Sequence, residues 1–349
     1  MKNQVLIIVI LLLTNSVIAQ IVPTAIYLEK IASCGGLDSL TILKGTWKKI
    51  EDDLAFPDKS LVKSDFKLIN TRIDSIYQLI KLSVTDFTAV MPRWYRSIRG
   101  DAYLPKGAVP YSCRSLFFEY GCNPIDKKMV LYDETSSQIH IFVNKLQYFF
   151  EDIGKWTIDS GGKEKNVYML PPIEGEWKGF KVYRGKFMAS TPGRVLCKIL
   201  VMGRNGKQPW RSLTQTQYLL GLRNYYEASL VKAKSGSSSE RIYQENLKMI
   251  SNYLNTVDKS ELNQPAIIDP KFGVFGFKGK FGEEKSGGFR LVITATNNNY
   301  FDDSMPRQVP QLLEIMWTYS QTSPVEKNII DQFEKNFPLE KLQAMLDKK

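Results

Sequence analysis

The order in which two hydrophobic periods follow one another constrains this chain most. Strand-period runs succeed each other at 128–132, 138–144, 166–170, 179–191 and 195–202, divided by polar turns and by Pro171-Pro172 and Thr191-Pro192-Gly193. Extended helical period falls in separate blocks at 60–82, 214–234, 240–255 and from 323 onward. A parallel sheet needs a crossover between successive strands, and no regular strand–helix–strand alternation supplies one. The expected class is α+β: mainly antiparallel sheets with an amphipathic N-terminal helix, a central helical hairpin and C-terminal helices.

Local chemistry sharpens several elements. In 60–82, Phe66, Ile69, Ile73, Ile76 and Ile80 recur at three and four, with Lys67, Asn70, Arg72, Asp74 and Gln78 on the other face. Thr214 with Gln217 reads as a capping box, and Ser323-Pro324-Val325-Glu326 as an N-cap with a proline at the first helical position and a second capping box. Residues 128–132 and 138–144 flank a polar turn and read as a hairpin, and 146–153 reads as a short helix. Phenylalanine alternates with glycine and lysine in 271–281, which with 289–296 and 312–319 suggests an antiparallel meander. Ser160-Gly161-Gly162 marks a boundary candidate. The expected layout is a signal peptide at 1–19, an N-terminal region at 20–155 and a C-terminal region at 156–349 carrying the helical hairpin 214–256; a single domain is the alternative.

The first twenty residues carry Lys2, an unbroken apolar run at 5–13 and Ala19 as a small exit residue, the pattern of a cleaved secretory leader. The run is too short for a permanent membrane span, and no later stretch reaches that length, so no transmembrane segment is expected in the mature chain. The expected location is the periplasm, the outer surface or the medium. Ile31-Ala32-Ser33-Cys34 has the look of a lipid-attachment box, but Pro23, Glu29 and Lys30 separate it from the apolar run. The net charge of +11 favours anionic partners, although no compact Lys/Arg run concentrates it.

Export turns the four cysteines, Cys34, Cys113, Cys122 and Cys197, into disulfide candidates with three possible connectivities. Cys113 and Cys122 are closest in sequence and close the cheapest loop, which favours that pair and leaves Cys34 and Cys197 paired or free. His140 is the one histidine, so a His/Cys zinc site or a histidine-based nucleophile mechanism would have to use it. It alternates with Ile139 and Ile141, on the face opposite the aliphatic residues, and reads as a structural or surface histidine.

The stretch 91–123 mixes arginine with aromatics and reads as mostly loop and short strand, broken by prolines and glycines. Arg93, Trp94, Tyr95, Arg96 and Arg99 are its candidate ligand-binding residues, because guanidinium and ring faces together suit sugars and phosphates. The alternative is an ordered segment whose rings seal an edge. The glycine-rich run 276–288 matches neither phosphate-loop pattern and reads as a hairpin tip. Asp302-Asp303 near Asn297-Asn298-Asn299 offers oxygen ligands for calcium, with a solvated loop as the alternative. Neither a cofactor motif nor a metal-ligand spacing is present, and no catalytic residue is assigned.

Phe117-Phe118-Glu119-Tyr120-Gly121-Cys122-Asn123, Pro209-Trp210 with Leu213-Thr214, and Asn299-Tyr300-Phe301-Asp302 with Met305-Pro306-Arg307 carry a resemblance. So does the stretch from Glu134-Thr135 to Phe142-Val143-Asn144. The chain resembles uncharacterised exported proteins of Bacteroidota-type bacteria. That resemblance implies export and a shared globular fold, and carries no reaction. The expected function is non-catalytic binding of a ligand or partner in the cell envelope: an envelope glycan, lipopolysaccharide or another envelope protein, with no nucleic acid. The alternatives are a carboxylate-dependent glycan hydrolase and a binder of anionic polymer or lipid.

Overall fold

The computed structural model describes residues 25–55, 63–99, 108–149, 151–157, 164–185, 195–275, 277–294, 300–346 and 348. The leader at 1–19 lies outside these residues, as do Asn297, Asn298 and Asn299. Strands β1 (Lys48–Lys49), β2 (Asp53–Ala55), β3 (Val90–Arg99), β4 (Tyr111–Asn123), β5 (Lys128–Leu131) and β6 (Gln138–Val143) come first. Then follow β7 (Glu151–Thr157), β8 (Glu164–Met169), β9 (Ile173–Trp177), β10 (Phe180–Arg184) and β11 (Val195–Gly203). The remainder are β12 (Trp210–Ser212), β13 (Ile267–Ile268), β14 (Phe289–Thr294) and β15 (Leu312–Ser320). The helices are α1 (Ala25–Ala32), α2 (Gly36–Thr41), α3 (Lys63–Ser83), α4 (Gln215–Lys232), α5 (Ser238–Thr256), α6 (Lys259–Leu262), α7 (Pro324–Asn336) and α8 (Leu339–Gln343).

Among the described residues the strands form a ten-stranded sheet, ordered β1-β3-β4-β6-β15-β11-β10-β9 with β2 on β3 and β5 on β4, and a five-stranded sheet. Among the described residues only β1 and β2 pair in parallel, both against β3. The fold is therefore mixed, with large sheets dominated by antiparallel pairing. Strand β15 enters between β6 and β11, so the large sheet draws strands from both sides of residue 155. Its inner face carries the main core. Ile69, Ile73, Ile76, Tyr77 and Ile80 of α3 pack there with Ile329, Ile330 and Phe333 of α7, over Phe117, Ile139, Ile141, Ile315 and Trp317. Glu334 fastens α7 to the sheet, accepting from Trp317 Nε1 at 2.7 Å and pairing with Lys198 at 2.7 Å. In the smaller sheet, α4 and α5 cover Val167, Leu291 and Ile293 with Tyr218, Leu222 and Ile250. Trp210 of that sheet stacks on Phe149 at 4.7 Å within a third cluster containing Ile199 and Met316, which joins the two sheets.

The capping box forms at Thr214, whereas at Ser323 only the N-cap half of it does. Thr214 Oγ1 accepts from the Gln217 N–H and the Gln217 side chain accepts from the Thr214 N–H. Ser323 accepts from the Glu326 N–H, but the Glu326 carboxylate reaches past the cap to the Ser320 N–H and the Ser136 hydroxyl.

Several expectations need correction. Residues 91–123 hold two long antiparallel strands, β3 and β4, so that Trp94 and Arg96 fall on one face and Arg93 and Tyr95 on the other. Strands β5 and β6 do not pair as a hairpin; β4 is long enough to pair with β6 through 111–116 and with β5 through 120–123. Residues 146–149 are irregular and 151–153 open β7, not a helix, while 271–275 and 277–281 hold the end of a 3-10 turn and loop whose Phe277 fills the smaller core. The disulfide joins Cys34 to Cys122, with Cα atoms 5.6 Å apart, instead of Cys113 to Cys122. Cys113 and Cys122 lie nine positions apart on one strand, which separates them by roughly 30 Å at about 3.3 Å per residue, beyond any disulfide. Cys113 and Cys197 are free and buried.

Candidate ligand-binding site

Strand parity splits the arginine–aromatic candidates between two faces. Trp94 and Arg96 point inward: Trp94 stacks on Tyr77 of α3 at 3.8 Å, and Arg96 Nη2 meets Asp74 Oδ2 at 2.6 Å. Asp52 also approaches Arg96, at 3.7 Å, and accepts its N–H at 3.0 Å. The two carboxylates thus share one guanidinium that locks α3 onto β3, and Trp94 is buried there. Arg93 and Tyr95 point to the outer face, where Arg93 lies 4.4 Å from the Phe118 ring centre. Arg99 ends β3, and its side chain lies outside the described set.

On that outer face the register aligns two rows across four strands. Tyr95, Arg114, His140 and Met316 form one; Ser97, Ser112, Phe142 and Glu314 form the next. Beyond β6 the chain turns at Asn144, which adopts a left-handed conformation (φ 57°) that asparagine tolerates. Its side chain donates to the Val109 and Val309 carbonyls and accepts from the Gln311 N–H. The segment 145–149 then folds back over the sheet. Glu314, fully buried, holds it there: Oε2 accepts from the Gln147 N–H at 2.8 Å and Oε1 from the Tyr148 N–H at 3.0 Å.

Between this segment and the sheet lies a cavity of about 210 Å³ whose lining includes Ser97, Ser112, Arg114, Phe142, Lys145 and Gln147. Arg114 rests between rings, 5.3 Å from Phe142 and 5.8 Å from Tyr95. Its one hydrogen bond to a described residue is a long 3.4 Å contact to the Tyr95 hydroxyl, and its buried Nε has none. No carboxylate among the described residues pairs with it. A guanidinium has five donors in a planar fork, so Arg114 presents an unfilled anion-binding group beside a polar cavity.

His140 sits next to Arg114 but is closed off. It is buried, both ring nitrogens lack partners among the described residues, and burial with the nearby Arg114 charge lowers its pKa to about 3. The ring is neutral and unoriented, unlike the imidazole of a nucleophile–base pair. Burial pushes the Glu314 carboxyl up to about 8, against the downward pull of backbone N–H bonds and Lys145. Burial also pushes the Cys197 thiol up to about 12 and the Cys113 thiol higher still.

Two other cavities are chemically poorer. One of about 350 Å³ includes the exposed Lys271, Lys278 and Lys280 in its lining, but Asp269 and Glu283 share that rim. Another, of about 230 Å³, is walled by apolar surface from Tyr148, Phe149, Met169 and Phe289. Asp302 lies elsewhere, engaged by Ser304 and Arg204.

Of the predicted site residues, none of those with a described side chain lines the Arg114 cavity. Arg114 falls inside the arginine–aromatic stretch, but Lys145 and Gln147 follow it by some thirty positions and carry no local motif. The one sequence signal was alternation in 138–144, which aims Phe142 and His140 at one face. No family model, no curated protein and no solved structure matches this chain.

Proposed function

We propose that this chain is an exported binding protein of the cell envelope, non-catalytic, that holds an anionic ligand at Arg114. The observation that carries the reading is the Arg114 guanidinium: it flanks a polar cavity, has ring faces on two sides, and lacks a carboxylate partner among the described residues. The buried Nε of Arg114 has no partner among the described residues, and a carboxylate or phosphate oxygen makes short, charge-assisted bonds to a guanidinium fork. Lys145 adds a second positive group at the wall. Three further features support export: the leader-like N-terminus, the resemblance to exported proteins, and a disulfide of the kind that persists in oxidising compartments. No helix among the described residues is long and apolar enough to cross a membrane.

The test is a calorimetric titration of the mature protein with small anions (acetate, sulfate, phosphate and sugar acids) alongside Arg114→Gln. Saturable binding that weakens with added salt and is lost in the variant is the expected result. Absence of binding to every anion, or equal binding by both proteins, removes the reading.

A further inference from the structure

The composition of the cavity wall narrows the ligand, provided that the Arg114 cavity is the binding site. Three properties of the wall bear on this. First, its volume of about 210 Å³ corresponds to roughly seven water volumes, room for one six-membered ring with its substituents and less than the sites of drug-sized ligands. Second, Ser112 and Gln147 supply hydroxyl and amide groups able to donate and accept, and the Ser97 hydroxyl, whose hydrogen goes to Asp53, supplies an acceptor; this suits a ligand with several hydroxyls better than an apolar acid. The Phe142 ring supplies an apolar surface beside them. Third, two carboxyl groups stand one hydrogen bond behind the wall. Ser97 Oγ donates to Asp53 Oδ2 at 3.2 Å, and the Gln147 N–H donates to Glu314 at 2.8 Å. Burial keeps the Glu314 carboxyl protonated at neutral pH, so the negative field comes from Asp53; it offsets part of the charge of Arg114 and Lys145, which penalises a doubly charged ligand more than a singly charged one.

We infer that the site takes a singly charged sugar acid, a pyranose ring bearing one carboxylate, as a free monosaccharide or as the terminal unit of an acidic glycan. The carboxylate meets the Arg114 fork with Lys145 beside it. The ring hydroxyls meet Ser97, Ser112 and Gln147, and one C–H face lies on Phe142.

The decisive comparison is made on the wild-type protein, so it does not depend on any variant folding. Glucuronate and galacturonate are titrated calorimetrically against glucose, acetate and inorganic phosphate. One of the two uronates is expected to bind about tenfold more tightly than acetate and than phosphate, with glucose undetected. Gln147→Ala should narrow the gap between uronate and acetate while leaving acetate unchanged, and Arg114→Gln should abolish both. If acetate or phosphate binds as well as either uronate and is lost in Arg114→Gln, the anion site stands and the sugar-acid assignment falls. Glucose binding as tightly as the uronates also overturns the assignment. If no anion binds the wild type, both the site and the assignment fall.

Discussion

Glu314 and His140 occupy neighbouring rows of one sheet face and respond to pH in opposite senses. For Glu314, burial lifts the carboxyl from 4.5 to about 8. Between those values the folded chain keeps a proton that the unfolded chain has released. Its contribution is therefore full below pH 4.5 and is lost as pH rises through 8. For His140, burial lowers the pKa from 6.5 to about 3, so the unfolded chain holds the extra proton and stability grows as pH rises from 3 to 6.5. Urea midpoints followed against pH should rise through the acid range and fall toward alkaline pH. His140→Phe should flatten the acid limb, and Glu314→Gln should flatten the alkaline limb, while its amide costs about 1–3 kcal/mol overall by opposing an N–H donor to the N–H groups of segment 145–149. An alkaline limb unchanged in Glu314→Gln would show that another group titrates there. Neither residue was singled out by composition as buried, because a strand's alternation gives the face of a side chain and not what covers that face.

At the scale of elements, the disulfide and the arginine-rich strands show how far local pattern carries. Cys34 follows α1 and Cys122 is the last residue but one of β4, so their bridge ties the N-terminal helices to the sheet across a separation of 88 residues. Removing it as the Cys34→Ser, Cys122→Ser double variant should cost about 2–4 kcal/mol, read from the urea midpoint. Non-reducing peptide mapping should return a 34–122 link, with Cys113 and Cys197 alkylated only after unfolding; a 113–122 link would contradict the strand geometry. Proximity in sequence misled because an extended strand drives neighbours apart faster than any other conformation. The same extension explains the fate of the 93–99 cluster. Four residues that share a stretch of sequence, Arg93, Trp94, Tyr95 and Arg96, were divided between a core under α3 and the opposite face. Helix starts were legible because a cap is a contact between residues three apart.

At the scale of the molecule, β15 is the keystone of the large sheet, pairing with β6 on one edge and β11 on the other although it comes more than a hundred residues after either. It also carries Glu314 and Trp317, which hold segment 145–149 and α7. A chain ending at residue 311 should therefore lose the cooperative fold altogether, seen as loss of near-ultraviolet dichroism and of a sharp thermal transition. A truncated chain that melted cooperatively would mean that the sheet assembles without its centre. The mixed helix-and-sheet class, its large sheets dominated by antiparallel pairing, and the N-caps at Thr214 and Ser323 followed from the sequence by itself, since periodicity and capping depend on residues a few positions apart. The cysteine pairing, the two faces of β3 and the cavity at Arg114 were decided only by tertiary structure. Arg114, Phe142 and Lys145 come from a sheet and the segment folded over it, and Glu314, far along the chain, holds that segment in place. Such a site is set by strand register and long-range order, and no local pattern encodes either.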